Sequence, residues 1–223
     1  MAITYKELIF LKYCSKKNSF RDTLCLGNQS VAYSSGFKDV LPSFNIDRNT
    51  NLLDLLKIAF GSLSLETVDV SNYEGASLIY DLNNKINIDK KFDTTIDIGT
   101  SYFVYDVKTC FQNIINLTKI GGSIIHVVPS NNFCNLGFYQ FSPDFFYQLY
   151  SKKNGFTNTE VFVSDYSNLF FNKIYKLNYE NHNSRHFLPT KGELVTWVRT
   201  EKKEEIKNFE LKPILYETYN DSN

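Results

Sequence analysis

The sequence predicts an α/β fold in which a mostly parallel sheet is covered by helices on both faces. Short strand-like runs alternate with helical periodicities, and the runs are too uniformly apolar to leave one side of a sheet in water. Several of them also finish in glycine or aspartate, the residues that turn a chain out of a strand.

Taken in order, Thr23–Leu26 is a short apolar run ending at Gly27, a buried strand that enters a turn. From Asn49 to Phe60 the apolar residues Leu52, Leu53, Leu55, Leu56, Ile58 and Ala59 recur at helical spacing, with Gly61 at the C-terminal cap. Strand-like runs follow at Leu65–Val70, Leu78–Asp81 and Phe92–Ile98, the last ending near Asp97 and Gly99. Asp106 caps a second helix that runs to about Lys119 and is terminated by Gly121-Gly122. Ser123–Val128 is the next strand, Ser142-Pro143 opens a helix leading to Gly155, and Thr159–Val163 closes that unit. Tyr166 to Gly192 is aromatic, rich in asparagine and weakly periodic, which reads as an excursion before a last strand, Glu193–Thr200. No fixed repeat and no Gly/Ser or Pro linker divides the chain. The expectation is one domain over residues 1–223, with a core at about 22–164, an inserted segment at about 166–192 and a last strand at about 193–200.

A chain of 223 residues with 43% hydrophobic side chains can bury a sizeable core without staples. Acidic and basic residues balance at 24 each, so no overall positive field draws the chain to nucleic acid. A small-molecule partner is the expectation. No run approaches the about 20 apolar residues of a membrane span, and Lys6, Glu7 and Lys12 interrupt the first apolar cluster where a signal peptide would be continuous. Cys14, Cys25, Cys110 and Cys134 are scattered with no C-x-x-C pair, which signals neither zinc nor redox chemistry and fits a reducing cytoplasm.

In a parallel sheet, ligands lie beyond the carboxyl ends of the strands. Gly27, Asn28 and Gln29 follow the first strand, Asp69 the second, Asp81 the third, and Asp97 with Gly99 the fourth. A glycine after the first strand lets backbone approach a ligand closely, and a carboxylate after the second can accept hydrogen bonds from ribose hydroxyls. Each aspartate equally well caps a turn or the next helix.

The ordered string of these residues resembles the class I S-adenosylmethionine-dependent methyltransferases, and within them a methyltransferase-like group found among bacterial small-molecule and surface-glycan genes. The resemblance covers roughly Leu24 to Val163. It is carried by Leu26-Gly27-Asn28-Gln29, Val68 to Ala76, Asp81-Leu82-Asn83, Phe92-Asp93 through Ile96 to Thr100, Ile120-Gly121-Gly122 and, most specifically, Pro129 to Pro143. It implies a Rossmann-like fold and S-adenosylmethionine as cofactor. Gly27 and Asn28 would line its methionine part, Asp69 the ribose, Asp81 with Leu82 the adenine, and Asp97, Gly99 and Thr100 the wall beside the sulfonium. The implied reaction is methyl transfer to oxygen or nitrogen of a small molecule or glycan precursor, with no metal.

The chain departs from that pattern in three places. One glycine stands where G-x-G-x-G is usual, Ser101-Tyr102-Phe103-Val104 replaces an expected Leu-Glu-His, and Cys134-Asn135-Leu136-Gly137 lacks an expected Gly-His pair. The proton-transfer candidates that remain are His126, which reads either as a core histidine or as a catalytic one, and Tyr139, which reaches a substrate or packs its ring. Asn131, Asn132 and Gln140 join Tyr139 as acceptor-binding candidates, the asparagines with a turn role as their alternative. His182 and His186 share a helical face but have no third ligand to make a metal site. The departures keep a second reading open, a non-catalytic methyltransferase-like binding or scaffold protein. A nicotinamide-dependent oxidoreductase is a third, without the G-x-G-x-x-G turn that a pyrophosphate needs. The aromatic insertion shapes an acceptor pocket or a homodimer interface.

Overall fold

A computed structural model of the chain describes residues 2–32, 50–72, 74–166, 174–178, 192–205, 209 and 211. The chain opens with β1 (Ala2–Ile3), α1 (Tyr5–Ser15), β2 (Arg21–Leu26) and β3 (Ser30–Val31). It continues through α2 (Leu52–Phe60), β4 (Ser62–Asp69), β5 (Leu78–Ile79), β6 (Phe92–Ile98), α3 (Val107–Leu117) and β7 (Thr118–Asn131). The last described elements are α4 (Pro143–Leu149), β8 (Phe156–Asp165), β9 (Ile174–Lys176) and β10 (Leu194–Lys202).

Eight strands form one sheet in the order β5-β4-β2-β6-β7-β10-β8-β9. The pairs β5·β4, β4·β2, β2·β6 and β6·β7 are parallel, whereas β10 runs antiparallel to both β7 and β8. This is the mostly parallel, Rossmann-like α/β architecture expected from the alternating strands and helices. The inserted segment contributes β9, antiparallel to β8 at the sheet edge. The remainder of that segment, with His182 and His186, lies outside the described residues. Among the described residues no helix is long and apolar enough to cross a membrane.

Period-2 alternation sends neighbouring side chains of each strand into different layers. Ile96, Ile98, Ile125, Val127 and Trp197 pack with α1 and α2, and Leu24, Leu26, Ile124, Val128 and Val198 pack with α3 and α4. Helices therefore cover both faces, which is why these strands lack a wet side.

Local chemistry sets the helix boundaries. Asn51 accepts the Asp54 N–H at the start of α2, and Gly61 ends it at φ +72°, where a side chain would be strained. Ser142 and Pro143 start α4 as the sequence indicates. The glycine pair does not end α3, a correction to the sequence reading. That helix stops at Leu117, Thr118 turns extended with its hydroxyl on the Ile114 carbonyl, and both glycines lie inside β7. Buried Lys202 supplies the cap from β10, donating to the carbonyls of Ile115 and Thr118 at 2.7 and 2.9 Å. α1 is an element the sequence reading did not assign, although Thr4 and Glu7 form a full capping box at its start.

Candidate functional site

Strand β2 lies between β4, to which the chain crosses through α2, and β6, which it reaches afterwards on the opposite side. The direction of winding thus reverses between β2 and β6, and the crevice at such a reversal is where parallel sheets hold ligands. Register brings the strand ends level: Leu26 pairs with Val68 and Asp97, and Val68 with Leu78. Four turns then open onto one cleft of about 340 Å³, within the usual range of small-molecule sites.

Across the sheet the lining runs from Asp81, Leu82 and Asn83 after β5, through Asp69 at the end of β4 with Val70 beyond it and Gly27, Asn28 and Gln29 after β2, to Gly99 and Thr100 after β6. Segments far apart in sequence meet here because the strands that end in them are neighbours.

Gly27 adopts φ +75°, and a Cβ on it would stand 2.8 Å from both Gln29 Nε2 and Thr100 Oγ1. Its N–H donates to the Val68 carbonyl at 2.7 Å. The Thr100 hydroxyl and the Gln29 amide both donate to the Leu26 carbonyl, at 2.8 and 3.2 Å. That contact fixes which end of the Gln29 amide is nitrogen. Its Oε1 is left buried without a hydrogen-bond partner, an acceptor that a ligand donor can satisfy. Asn28 donates to the Glu74 carbonyl and so pins the Glu74 side of the cleft to the β2 turn.

Asp69 accepts the Val70 N–H at 2.7 Å and is half-buried, which leaves it oxygen capacity toward the cleft. Asp81 organises its own turn, accepting from the Asn83 backbone and side chain at 2.9 and 2.7 Å and from the Asn84 side chain at 3.2 Å. It lines the cleft and caps the turn at once.

Asp97 takes a different place. It is fully buried and outside the lining; it faces the α3–α4 layer and accepts the Thr100 and Ser101 N–H groups, each at 3.1 Å. It shapes the Gly99–Thr100 wall from behind and does not touch the cleft. Its other oxygen receives His126 Nδ1 at 2.8 Å, and His126 Nε2 lies 2.6 Å from the Tyr150 hydroxyl. Burial pushes the Asp97 carboxyl up, but the hydrogen bond and charge of His126, with Ser101, outweigh it and hold the carboxyl below its usual value. Burial, followed by the Asp97 charge, pushes the Tyr150 phenol well up. The phenol therefore keeps its proton, and Tyr150, His126 and Asp97 form one buried hydrogen-bonded chain.

His126 has 0% exposure, with the rings of Phe111 and Phe146 at 5.4 and 5.1 Å. Both ring nitrogens are engaged and the side chain is outside the cleft lining, the placement that the core-histidine alternative describes. Tyr139 is half-buried outside the cleft, its hydroxyl on the Tyr105 carbonyl at 2.7 Å. Gln140 accepts the Phe133 N–H at 2.9 Å, and Asn132, at φ +62°, donates to the Gly192 carbonyl at 2.8 Å. Asn131 is the exposed last residue of β7, paired with Leu194. These four build and anchor the loop after β7 and do not line the cleft. Glu74, Tyr80, Phe103 and Val104 do line it, unread from sequence. For Val104 the signal was its place, directly after the Gly99–Thr100 turn and the short 3-10 turn Ser101–Phe103.

No family model and no curated protein matches the chain. Among solved structures it is similar to an S-adenosylmethionine-dependent methyltransferase from Thermotoga maritima, at 14% identity over 89% of each chain and a TM-score of 0.44. It is similar also to the N-methyltransferase NodS of Bradyrhizobium japonicum in complex with S-adenosyl-L-homocysteine, at 12% identity over 90% of this chain and 86% of that one, TM-score 0.46. A third is an S-adenosylmethionine-dependent methyltransferase from Clostridium acetobutylicum, at 16% identity over 90% and 91% of the two chains, TM-score 0.39.

Proposed function

We propose that this chain binds S-adenosylmethionine in the cleft at the β2–β6 reversal and transfers its methyl group to oxygen or nitrogen of a small molecule or glycan precursor. The observation that carries the reading is the convergence of Asp81, Asp69, Gly27 and Gly99–Thr100, in that order across the sheet, on a single cleft. The cradle fits the group. Gly27 leaves room where a Cβ would collide with Gln29 and Thr100, and the partnerless Gln29 oxygen awaits a donor.

In this reading Asp81 and Leu82 hold the adenine, Asp69 the ribose hydroxyls, and Gly27, Asn28 and Gln29 the amino-acid end, with Gly99 and Thr100 as the wall beside the sulfonium. The cofactor supplies an activated methyl group. The protein's part is to position donor and acceptor and to keep water out, a task that effective-concentration arguments make the larger share of such a reaction. Asp97 acts through the Thr100 and Ser101 N–H groups to hold that wall in shape.

A second reading, a binding protein without turnover, is favoured by one observation. His126 is locked in the core, and no His, Lys or Arg is among the described residues that line the cleft. Differential scanning fluorimetry separates the main reading from a nicotinamide enzyme. S-adenosylhomocysteine is expected to raise the melting temperature and NAD to leave it unchanged; the reverse pattern would overturn the proposal. Transfer of a labelled methyl group to any acceptor excludes the binding-only reading.

A further inference from the structure

Beside the cleft stands a wall of exposed aromatic rings that the proposed donor site does not use. Phe103 lines the cleft at 48% exposure; Tyr105, the second residue beyond it, is 74% exposed and Phe138 69%. The Tyr105 and Phe138 rings meet edge to face at 6.2 Å. Aromatic surface of this kind is costly to leave in water and marks recognition when it is held rigidly.

It is held rigidly. The loop after β7 is fastened to the turn after β6 by the N–H groups of Phe138 and Tyr139, both donating to the Tyr102 carbonyl, at 2.9 and 3.2 Å. The Tyr139 hydroxyl adds a bond to the Tyr105 carbonyl. Gly137 permits the approach, since a Cβ there would stand 2.5 Å from the Tyr102 ring.

The two segments that carry the rings are also free of charged residues. No Asp, Glu, Lys or Arg occurs from Ile98 to Tyr105 or from Val127 to Pro143, in a chain of which these residues make up 22%. The adjoining Asp106 spends both carboxylate oxygens on Thr109 at the start of α3. These two segments bring no charge of their own to the rings, and a flat ring finds faces and edges to pack on.

We propose that Phe103, Tyr105 and Phe138 form the acceptor subsite and that the acceptor presents a flat aromatic ring. This rests on the donor reading above and narrows its acceptor class. The test is saturation-transfer difference NMR on the full chain, with and without S-adenosylhomocysteine, using indole, cyclohexanol and methyl glucoside as probes. Indole is expected to take up saturation and the other two are not. Phe138→Ala and Tyr105→Ala, both at exposed positions, are each expected to weaken indole about two- to tenfold, whereas Ile58→Ala, exposed on α2, leaves it unchanged.

The proposal is overturned if cyclohexanol or methyl glucoside is saturated as strongly as indole, or if the two wall variants bind indole like the parent. A fall in solution molar mass in those variants also overturns it, since the wall would then be an interface with a second copy. Loss of the donor reading is told apart by the homocysteine compound: if it does not bind, that reading fails with the subsite's role, whereas binding without indole saturation at the wall removes the subsite alone.

Discussion

His126 Nδ1 lies 2.8 Å from Asp97 Oδ2, and neither side chain is exposed to solvent. The pair stands directly behind the cleft wall, because the other Asp97 oxygen accepts the Thr100 and Ser101 N–H groups. A charge in this position is tolerable only while its partners are in place.

Removing the imidazole should therefore be severe. His126→Phe is expected to lower the unfolding free energy by about 3–5 kcal/mol at neutral pH, measured by urea denaturation. The pH dependence identifies the cause. In the parent, the Asp97 carboxyl is held below its ordinary value, so its stabilising contribution is complete above that value and is lost as pH falls through the folded one. In the variant, burial is opposed only by the Thr100 and Ser101 hydrogen bonds, so the carboxyl rises from its parent value and protonation in acid relieves it. The deficit of the variant should narrow as pH falls; a deficit constant with pH would mean lost packing only.

Asp69→Ala should weaken S-adenosylhomocysteine by about 1.5–3 kcal/mol through the loss of charged hydrogen bonds. An unchanged affinity in a calorimetric titration would remove Asp69 from the site.

Gly27→Ala meets two obstacles, a left-handed backbone at φ +75° and contacts of 2.8 Å with Gln29 and Thr100. The backbone alone costs about 1–2 kcal/mol. Stability should fall by at least that amount, and ligand affinity should fall with it because both displaced side chains line the cleft. A variant as stable as the parent would show that the turn has another conformation.

Gln29→Leu keeps the bulk and removes the partnerless oxygen. It should weaken S-adenosylhomocysteine about tenfold and leave methylthioadenosine, which lacks the amino-acid end, unaffected. Equal effects on both nucleosides would place Gln29 elsewhere along the ligand.

The sequence made the sheet and the strand-end residues readable because a parallel α/β chain writes them locally, in apolar runs closed by Gly27, Asp69 and Gly99. The end of α3 was not readable, since its cap comes from Lys202, which donates to Ile115 across 87 positions. α1 escaped because Lys6 and Glu7 are buried together with Leu8, Phe10 and Leu11, so no clean polar stripe marks it; the Thr4-x-x-Glu7 capping box was the available signal. His126 reads from the sequence as a polar residue within an apolar strand and Asp97 as a strand-end residue beside the ligand. The face that their paired strands share turns both away from the cleft and toward each other. The burial of the Gln29 oxygen and the latch of the Phe138 loop onto Tyr102 depend on tertiary contacts that no local pattern encodes.

Isothermal calorimetry of the parent chain with S-adenosylhomocysteine tests the central claim most directly. Saturable binding at one site per chain, weakened by Asp69→Ala, is the expected result. No heat of binding at millimolar ligand, from protein shown to be folded, would contradict the assignment of the β2–β6 cleft to this cofactor.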